Sequence, residues 1–294
     1  MSRIDGMTKI AGVIGNPLTH TLSPAMHNAV YERLHLNWAY LPFELTDEVA
    51  LRRFFALAPS LRCVGFNVTM PFKSAALELC DEVAMAASMA AAVNTVHVVD
   101  GKLVGYNTDG RGLLEALEVE TGFMAAGKDV VILGSGGAAG AAFVAFLLAR
   151  AAKVTIACRD LCRGDEILSR MQSHLSGVHA DAVSLMAAED AVRAAHLVVN
   201  ATPVGMNPGD PSPVPVEWFS PGQIVYDMVY GTLAPTALVA GARAAGATAV
   251  DGLGMLVAQG ATAIDIWNDS KQIRTPREVM RAAAEQAIAS RQEA

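Results

Sequence analysis

The chain has 294 residues, of which 52% are hydrophobic and 17% are charged, so it is long enough for two globular domains and too apolar for a disordered protein. Its formal net charge is −7 and it contains no run of lysine and arginine, which excludes a surface built to neutralise nucleic-acid phosphates. Every apolar run is shorter than the ~20 residues that a membrane span needs. We therefore expect neither nucleic acid nor membrane as a partner.

Cysteine and histidine usage indicates the compartment and argues against a metal site. The four cysteines form no C-x-x-C pair, the histidines form no H-x-x-x-H pair, and the N-terminus has no secretory signal pattern. We expect reduced thiols, mostly in the core, a cytoplasmic protein, and no bound metal.

Strand and helix patterns alternate along the first hundred residues. Strands are predicted at residues 9–15, 38–45 and 61–69. Between them, residues 23–36 predict a helix with Ser23 at the N-cap and Pro24 at the first position, and residues 46–58 predict a helix capped by Thr46. Two further strands flank the Asp100-Gly101 turn, a β-hairpin signal. This order predicts a mixed, mainly parallel sheet covered by helices.

The second half begins with a predicted helix at residues 108–120. Strand, glycine-rich turn, helix and strand then follow between residues 128 and 160, which is the order of a βαβ unit. Strands are predicted at residues 196–202, 223–230 and 248–252, a surface loop at 208–215, and helices at 254–268 and 275–289, the last capped by Thr275. The fold class is therefore α/β, with a Rossmann-like domain at 108–253 and a first domain formed by 1–107 and 254–294, to which the C-terminal helices return.

The glycine-rich turn "GSGGAAGA" (134–141) follows an apolar strand and opens a helix. Glycines there let the backbone approach a pyrophosphate, whose charge is stabilised at the helix N-terminus. The third position of the fingerprint is Ala139, which the pattern accepts. A plain tight turn is the alternative reading. The candidate cofactor-binding residues are Gly134, Ser135, Gly136, Gly137 and Ala138.

The segment "CRDLCRG" (158–164) should lie beside the adenosine ribose and contains opposing signals. Arg159 and Arg163 favour the 2′-phosphate of NADP, whereas Asp160 favours the free 2′-hydroxyl of NAD. A solvated loop of mixed charge is the alternative to a ribose site. The sequence therefore predicts NADP or NAD as cofactor and leaves the choice open.

Polar side chains follow apolar strands in three further segments of the first domain: "NVTMPFK" (67–73), "VNT" (93–95) and "GYNTDG" (105–110). The segment "THTLSP" (19–24) likewise follows the first strand. Ligands bind at the carboxyl ends of parallel strands, so these groups are expected to converge on one site. Helix caps and solvated turns are the alternative explanation for each segment taken alone.

Eight motifs in one order resemble those of the shikimate dehydrogenase family. They are "GNPLTHTLSP", "NVTMPFK", "AVNT", "GYNTD", "GSGGAAGA", "NATPVGM", "DMVY" and "DGLGMLVAQGA". The resemblance extends from about residue 9 to Trp267. It implies reversible NAD(P)-dependent oxidation of the C3 hydroxyl of shikimate to 3-dehydroshikimate, with the first domain binding the substrate.

The resemblance also implies roles for individual residues. Lys73 and Asp109 match the catalytic pair, and oxidation of an alcohol requires a base for the hydroxyl proton. Met228 and Gly252 match positions around the nicotinamide. The residues that match substrate contacts are Thr21, Ser23, Asn67, Thr69, Asn94, Tyr230 and Gln259.

Two departures from the biosynthetic pattern leave alternatives open. Thr21 stands where serine is usual, and Asp160 stands where NADP-specific members commonly have threonine. A quinate/shikimate dehydrogenase or related paralogue is therefore the second reading, and a catalytically silent metabolite sensor is the third. Tyr40 is similar to a substrate-contacting tyrosine of the quinate branch, although a strand aromatic more often packs in the core. We expect a monomer or a homodimer.

Overall fold

The computed structural model describes residues 4–174, 177–232, 234–269 and 274–292. The chain consists of two compact units. The first unit comprises Met1–Thr108 and Val257–Ala294, and the second comprises Asp109–Leu256. The long helix α10 (Leu253–Asn268) begins in the second unit and ends in the first.

The first unit is a mixed six-stranded sheet with helices. Its strands are β1 (Lys9–Gly15), β2 (Trp38–Glu44), β3 (Cys63–Val68), β4 (Glu82–Val83), β5 (Thr95–Val99) and β6 (Lys102–Tyr106). Its helices, besides the end of α10, are α1 (Ser23–Arg33), α2 (Glu48–Leu57), α3 (Lys73–Leu79), α4 (Met85–Ala90) and α11 (Arg277–Gln292). The strand order is β2-β1-β3-β5-β6-β4.

Strand pairing confirms the mixed sheet. β1 pairs in parallel with β2 and β3, whereas β5 is antiparallel to both β3 and β6. The predicted hairpin turn is present: Asp100 and Gly101 both adopt positive φ (49° and 77°), which a tight Asp-Gly turn requires. The short strand β4, which the sequence analysis missed, pairs with β6.

Three predicted helix caps differ from the structure. Ser23 is the first residue of α1 rather than its cap, and the Thr21 hydroxyl accepts a hydrogen bond from the Ser23 backbone N–H at 3.3 Å. The cap of α2 is Asp47, because its carboxylate reaches the Ala50 N–H at 2.8 Å. The Thr275 hydroxyl is occupied elsewhere, since it donates to Asp265 at 2.6 Å.

The second unit is a six-stranded parallel sheet in the order β12-β11-β10-β7-β8-β9. Its strands are β7 (Asp129–Leu133), β8 (Lys153–Cys158), β9 (His179–Ser184), β10 (Leu197–Asn200), β11 (Ile224–Asp227) and β12 (Thr248–Val250). Its helices, besides the start of α10, are α5 (Asp109–Thr121), α6 (Gly137–Leu148), α7 (Leu161–Met171), α8 (Glu189–Ala194) and α9 (Ala237–Ala244). β9 was not predicted, because its polar, half-buried residues lack strand patterning.

The register of the second sheet aligns the ends of its strands. Leu133 of β7 pairs with Ala157 of β8 and with Asn200 of β10, and Asn200 pairs in turn with Asp227 of β11. The loops that follow these strands therefore leave the sheet along one edge. In parallel α/β sheets this edge is where ligands bind.

Helix α10 is tied into the first unit by its last turn. The Trp267 indole N–H donates to the Val96 carbonyl of β5 at 2.9 Å, and the ring is 4% exposed. Burial of this large aromatic side chain stabilises the packing of α10 in the first unit by roughly 2–3 kcal/mol. The prediction that the C-terminal helices return to the first unit is confirmed.

The cysteines are less buried than expected. Only Cys158 is buried; Cys63 and Cys80 are half-buried and Cys162 is exposed. Within the described ranges, no helix combines the length and the apolar character needed to cross a bilayer. Over the same ranges, His, Cys, Asp and Glu side chains form no group of three or more that could hold a metal ion.

Candidate active site

The loops that follow β1 and β3 are hydrogen-bonded to each other in the first unit. The Asn16 N–H donates to the Met70 carbonyl at 3.1 Å, and the Thr69 N–H donates to the Ile14 carbonyl at 2.8 Å. The segments "THTLSP" and "NVTMPFK" therefore start from neighbouring positions on the sheet. Thr21 and Thr69 are half-buried, and Ser23 is buried.

The carboxamide of Asn94 is held in one orientation by buried partners. Its Oδ1 accepts hydrogen bonds from the Thr108 N–H at 2.7 Å and from the Thr95 hydroxyl at 3.0 Å. Its Nδ2 donates to the Thr108 hydroxyl at 2.9 Å and to Gln259 Oε1 at 3.4 Å. A backbone N–H can only donate, so the amide cannot be reversed. Two predicted substrate residues, Asn94 and Gln259, are thereby brought together.

Asn67 is fixed by the same network. The Tyr40 hydroxyl donates to Asn67 Oδ1 at 2.8 Å, and Asn67 Nδ2 donates to the Thr95 hydroxyl at 3.1 Å. Tyr40 is 1% exposed, as expected of a core aromatic. Its hydroxyl is nevertheless part of the polar network, because a buried hydroxyl without a partner would be costly.

The predicted catalytic residues each stand at the start of a helix. Lys73 begins α3 and is half-buried, and its carbonyl accepts from the Val93 N–H at 2.9 Å, directly before Asn94. Asp109 begins α5 and is 6% exposed. The residue before it, Thr108, is anchored by Asn94. Hydrogen bonds to Val93 and Asn94, the two residues directly before β5, thus set the backbone position of Lys73 and of the residue preceding Asp109.

The glycine-rich turn fits a dinucleotide pyrophosphate. Gly134 follows β7 with φ of +113°, which an L side chain rarely adopts. Gly136 is the N-cap of α6, and a Cβ atom added there would meet no heavy atom within 4 Å. The helix N-terminus is therefore open to an anion. Gly136 and Gly137 are exposed, and Ser135 and Ala138 are half-buried.

Asp160 caps the helix that follows β8. Its Oδ1 accepts from the Cys162 N–H at 3.1 Å, and its Oδ2 lies 3.6 Å from Arg163 Nε. Arg159, Asp160 and Arg163 are all exposed. The acid in "CRD" thus has a structural partner in the N-terminus of α7, which explains its presence independently of any ribose hydroxyl.

The two predicted nicotinamide neighbours contact each other in the second unit. Met228 directly follows β11, and Gly252 lies so close that an added Cβ would overlap the Met228 carbonyl oxygen. The Gly252 N–H also donates to the Val229 carbonyl at 3.0 Å. Met228 and Tyr230 are half-buried at the carboxyl end of the strand.

Several polar residues that the sequence did not single out organise these positions. Thr95 and Thr108 orient Asn94, and Asn200 and Asp227 form a buried pair at the ends of β10 and β11. Thr95, Thr108 and Asp227 stand inside quoted motifs beside the assigned residues. Their position there was the available signal. Thr95 is next to Asn94, whereas Thr108 lies 14 positions from Asn94 and Asn200 lies 27 positions from Asp227.

His27 is a buried histidine that packs against the ring of Tyr40. Its ring stacks on Tyr40 with 4.0 Å between centroids and is 1% exposed. Its Nε2 has no hydrogen-bond partner among the described residues. Burial lowers the pKa of His27 from 6.5 to about 3, so the ring is neutral at pH 7.

Because His27 is buried in its neutral form, we expect the free energy of unfolding to decrease in acid. As pH falls from 6.5 towards about 3, the unfolded chain binds a proton at His27 that the folded chain does not. Stability therefore decreases with falling pH across that window. We expect His27→Phe to remove about 2 kcal/mol of the difference in unfolding free energy between pH 7 and pH 5. Denaturant titrations at both pH values measure this difference. A His27→Phe variant that kept the wild-type difference between pH 7 and pH 5 would refute the assignment of His27 as a buried, neutral histidine.

Comparisons with known proteins identify relatives that match this chain over most of its length. The family profile described as "Shikimate dehydrogenase substrate binding domain" matches residues 13–96. The shikimate dehydrogenase (NADP(+)) of Methanopyrus kandleri is 44% identical over 286 residues, which cover 95% of this chain and 96% of that protein.

Solved structures agree with the sequence comparison. A shikimate dehydrogenase in complex with NADP+ superposes with a TM-score of 0.88 at 35% identity, covering 98% of both chains. A shikimate 5-dehydrogenase from Listeria monocytogenes, in complex with shikimate and NAD, gives a TM-score of 0.87 at 31% identity and covers 96% of this chain and 98% of that one. The similarity therefore includes both units of the chain.

Proposed function

Since this chain belongs to the shikimate dehydrogenase family, we propose that it catalyses the reversible, NADP-dependent oxidation of the C3 hydroxyl of shikimate to 3-dehydroshikimate. The observation that best supports this reaction is the buried network of Asn67, Thr95, Asn94 and Thr108. The network orients the amides of Asn67 and Asn94 and holds Thr108, the residue before Asp109. Val93, the residue before Asn94, donates its N–H to the Lys73 carbonyl at 2.9 Å. Such a site suits a small acid with several hydroxyl groups.

The first unit binds the substrate in this proposal. Thr21 and Ser23 hold the carboxylate, and Asn67, Thr69, Asn94 and Gln259 contact the rest of the molecule. Tyr230, which follows β11 in the second unit, is a further proposed substrate contact. A site with buried hydrogen-bonding groups rejects analogues that leave those groups unpaired. Thr21 carries a methyl group that serine lacks. This methyl group narrows the part of the site that holds the substrate carboxylate.

Lys73 and Asp109 accept and return the proton of the substrate hydroxyl. When bound, NADP+ accepts a hydride from C3 at its nicotinamide ring. As that hydride leaves, the O–H bond breaks and the proton passes from the substrate oxygen to Lys73 Nζ, with Asp109 stabilising the charge that forms. In the reverse direction the same amine returns the proton to the oxygen of the ketone. The two side chains act as one coupled acid–base unit.

The second unit holds the cofactor. The turn from Gly134 to Ala138 binds the pyrophosphate at the N-terminus of α6, and Met228 and Gly252 lie beside the nicotinamide. Arg159 and Arg163 hold the 2′-phosphate, since both guanidinium groups are exposed next to β8. Asp160 accepts a hydrogen bond from the start of α7 and lies 3.6 Å from Arg163, so its charge is partly balanced next to the proposed phosphate site. We retain a monomer or a homodimer as the prediction for assembly.

Quinate with NAD is the second candidate, and the relatives do not favour it. Three relatives that are 43–44% identical to this chain are named shikimate dehydrogenase (NADP(+)), and their activity also argues against a silent sensor. Initial rates with shikimate or quinate, each with NADP+ or NAD+, test the choice. We expect the highest kcat/KM for shikimate with NADP+. A higher value for quinate with NAD+ would overturn the proposal.

Tyr40 offers a test of the substrate network. Tyr40→Phe removes only the hydroxyl that orients Asn67, so we expect the KM for shikimate to rise about three- to tenfold. Tyr31→Phe is the matched control, because Tyr31 is also fully buried and its hydroxyl lies 3.5 Å from His27 Nδ1, whereas Asn67 is hydrogen-bonded by the Tyr40 hydroxyl. Steady-state kinetics on both variants decide the point. Equal KM values for the two variants would contradict a role for the Tyr40 hydroxyl.

A further inference from the structure

A buried carboxylate with no role in the reaction lies at the carboxyl edge of the second sheet. Asp227 is the last residue of β11 and is 0% exposed. A carboxylate is costly to bury unless hydrogen bonds satisfy it. Its partners therefore indicate which parts of the unit it holds in place.

Three donors from three segments face this carboxylate. Oδ1 accepts from Asn200 Nδ2 at 2.9 Å and from the Val229 N–H at 3.1 Å, and Oδ2 accepts from the Thr236 hydroxyl at 2.6 Å. Asn200 ends β10, Val229 follows β11, and Thr236 is the N-cap of α9. One side chain thus joins two strand ends to the start of a helix.

Asn200 extends the network into the loop after β10. Its Oδ1 accepts from the Thr202 N–H at 3.0 Å and from the Thr202 hydroxyl at 2.6 Å. Its Nδ2 also donates to the Val204 carbonyl at 3.1 Å. Asn200 is 0% exposed, so these bonds are shielded from water. The path of residues 200–204 consequently depends on the Asn200–Asp227 pair.

Met228 lies between two residues that this network fixes. Asp227 precedes it, and Val229 follows it with its N–H on Asp227 and its carbonyl on the Gly252 N–H. The Met228 N–H donates to the Asn200 carbonyl at 3.0 Å. Burial raises the pKa of the Asp227 carboxyl, and the hydrogen bonds from Thr236, Val229 and Asn200 act against that rise.

We propose that Asp227 is a positioning residue for the nicotinamide dinucleotide, acting through Met228 and the loop after β10 rather than by contact with the cofactor. The proposal rests on the proposed function, which places Met228 beside the nicotinamide. Removing the carboxylate should weaken cofactor binding and leave substrate binding largely intact. If Asp227 served only the stability of the sheet, its replacement would not affect cofactor binding more than substrate binding.

Asp227→Asn tests this role with little change in volume. Its amide can offer one oxygen acceptor, so either the Thr236 hydroxyl loses its acceptor or the Asn200 and Val229 donors face an NH₂ group. Gln223→Met is the matched control at the opposite end of β11. Gln223 is 5% exposed and donates to the Val192 and Ala195 carbonyls at 2.7 and 2.9 Å, so its loss also breaks buried hydrogen bonds.

Calorimetric titration of the full chain with NADP+ alone gives the deciding numbers. We expect Asp227→Asn to weaken the Kd for NADP+ about tenfold, with the KM for shikimate within about twofold of wild type. Gln223→Met should lower Tm without changing that Kd. Equal Kd values for wild type and Asp227→Asn, or equal weakening in both variants, would overturn the proposal.

A second variant keeps the test decisive if Asp227→Asn fails to fold. Thr236→Val removes one of the three donors, and we expect it to weaken the Kd for NADP+ about threefold relative to Gln223→Met. A Kd equal to that of the control would then refute the role of Asp227. Failure of the proposed function is a separate result: wild-type protein inactive on shikimate would refute the reaction, while the NADP+ titrations would still decide the part played by Asp227.

Discussion

Lys73→Met is expected to lower kcat for shikimate oxidation by about 10²- to 10⁴-fold, the range that general acid–base catalysis contributes. The variant keeps an unbranched side chain as far as the ε position and removes the amine. Methionine is also a good helix former, so α3 should still begin at this position. The KM for shikimate should change much less than kcat, because the lost interaction acts mainly in the transition state.

A second lysine provides the control for this variant. Lys102→Met removes the same charge from an exposed strand residue, whose ammonium pairs with Glu82 at 2.6 Å. Surface pairs of this kind contribute little, so kcat should stay within about twofold of wild type. If Lys73→Met kept a kcat within about threefold of the control, Lys73 could not be the proton acceptor.

Gly136→Val is expected to weaken NADP+ binding at least about tenfold while the protein folds normally. Gly136 has extended backbone (φ −85°, ψ −173°) that valine adopts readily, and its Cβ would meet nothing within 4 Å. The added methyl groups would instead occupy the space where the pyrophosphate approaches the helix. The Kd for NADP+ by fluorescence quenching measures the effect, alongside Tm as a check on folding.

Two other glycines separate binding from stability. Gly6→Val places the same side chain at an equally open position in the first unit, and it should leave the Kd for NADP+ unchanged. Gly134→Ala should lower Tm by itself, because its φ of +113° strains any L residue by about 1–3 kcal/mol. Normal NADP+ affinity in Gly136→Val would show that the turn does not bind the pyrophosphate.

The sequence predicted the architecture because its signals were local. Alternating strand and helix patterns, the Asp100-Gly101 turn and the glycine-rich turn each depend on neighbouring residues, and all three are present in the structure. The helix caps were less predictable. Thr46 and Asp47 are adjacent candidates with similar chemistry, and only the backbone geometry selects Asp47.

Site organisation depended on contacts between distant residues. Tyr40 and Asn67 are 27 positions apart, and Asn94 and Gln259 are 165 apart, so no window of sequence contains either pair. Motif positions therefore predicted which side chains form the site and left their orientation open. Asp160 is the clearest example: its charge suggested NAD, but its hydrogen bond to the start of α7 gives the acid a structural purpose.

Shikimate carrying deuterium at C3 provides the most direct test of the central claim. Wild-type protein, labelled shikimate and NADP+ should yield 3-dehydroshikimate together with NADPH that carries one deuterium at C4 of the nicotinamide ring, as mass spectrometry and NMR would show. Deuterium that stays on the carbon skeleton of the acid or is released to water would contradict direct hydride transfer from C3, and with it the proposed reaction.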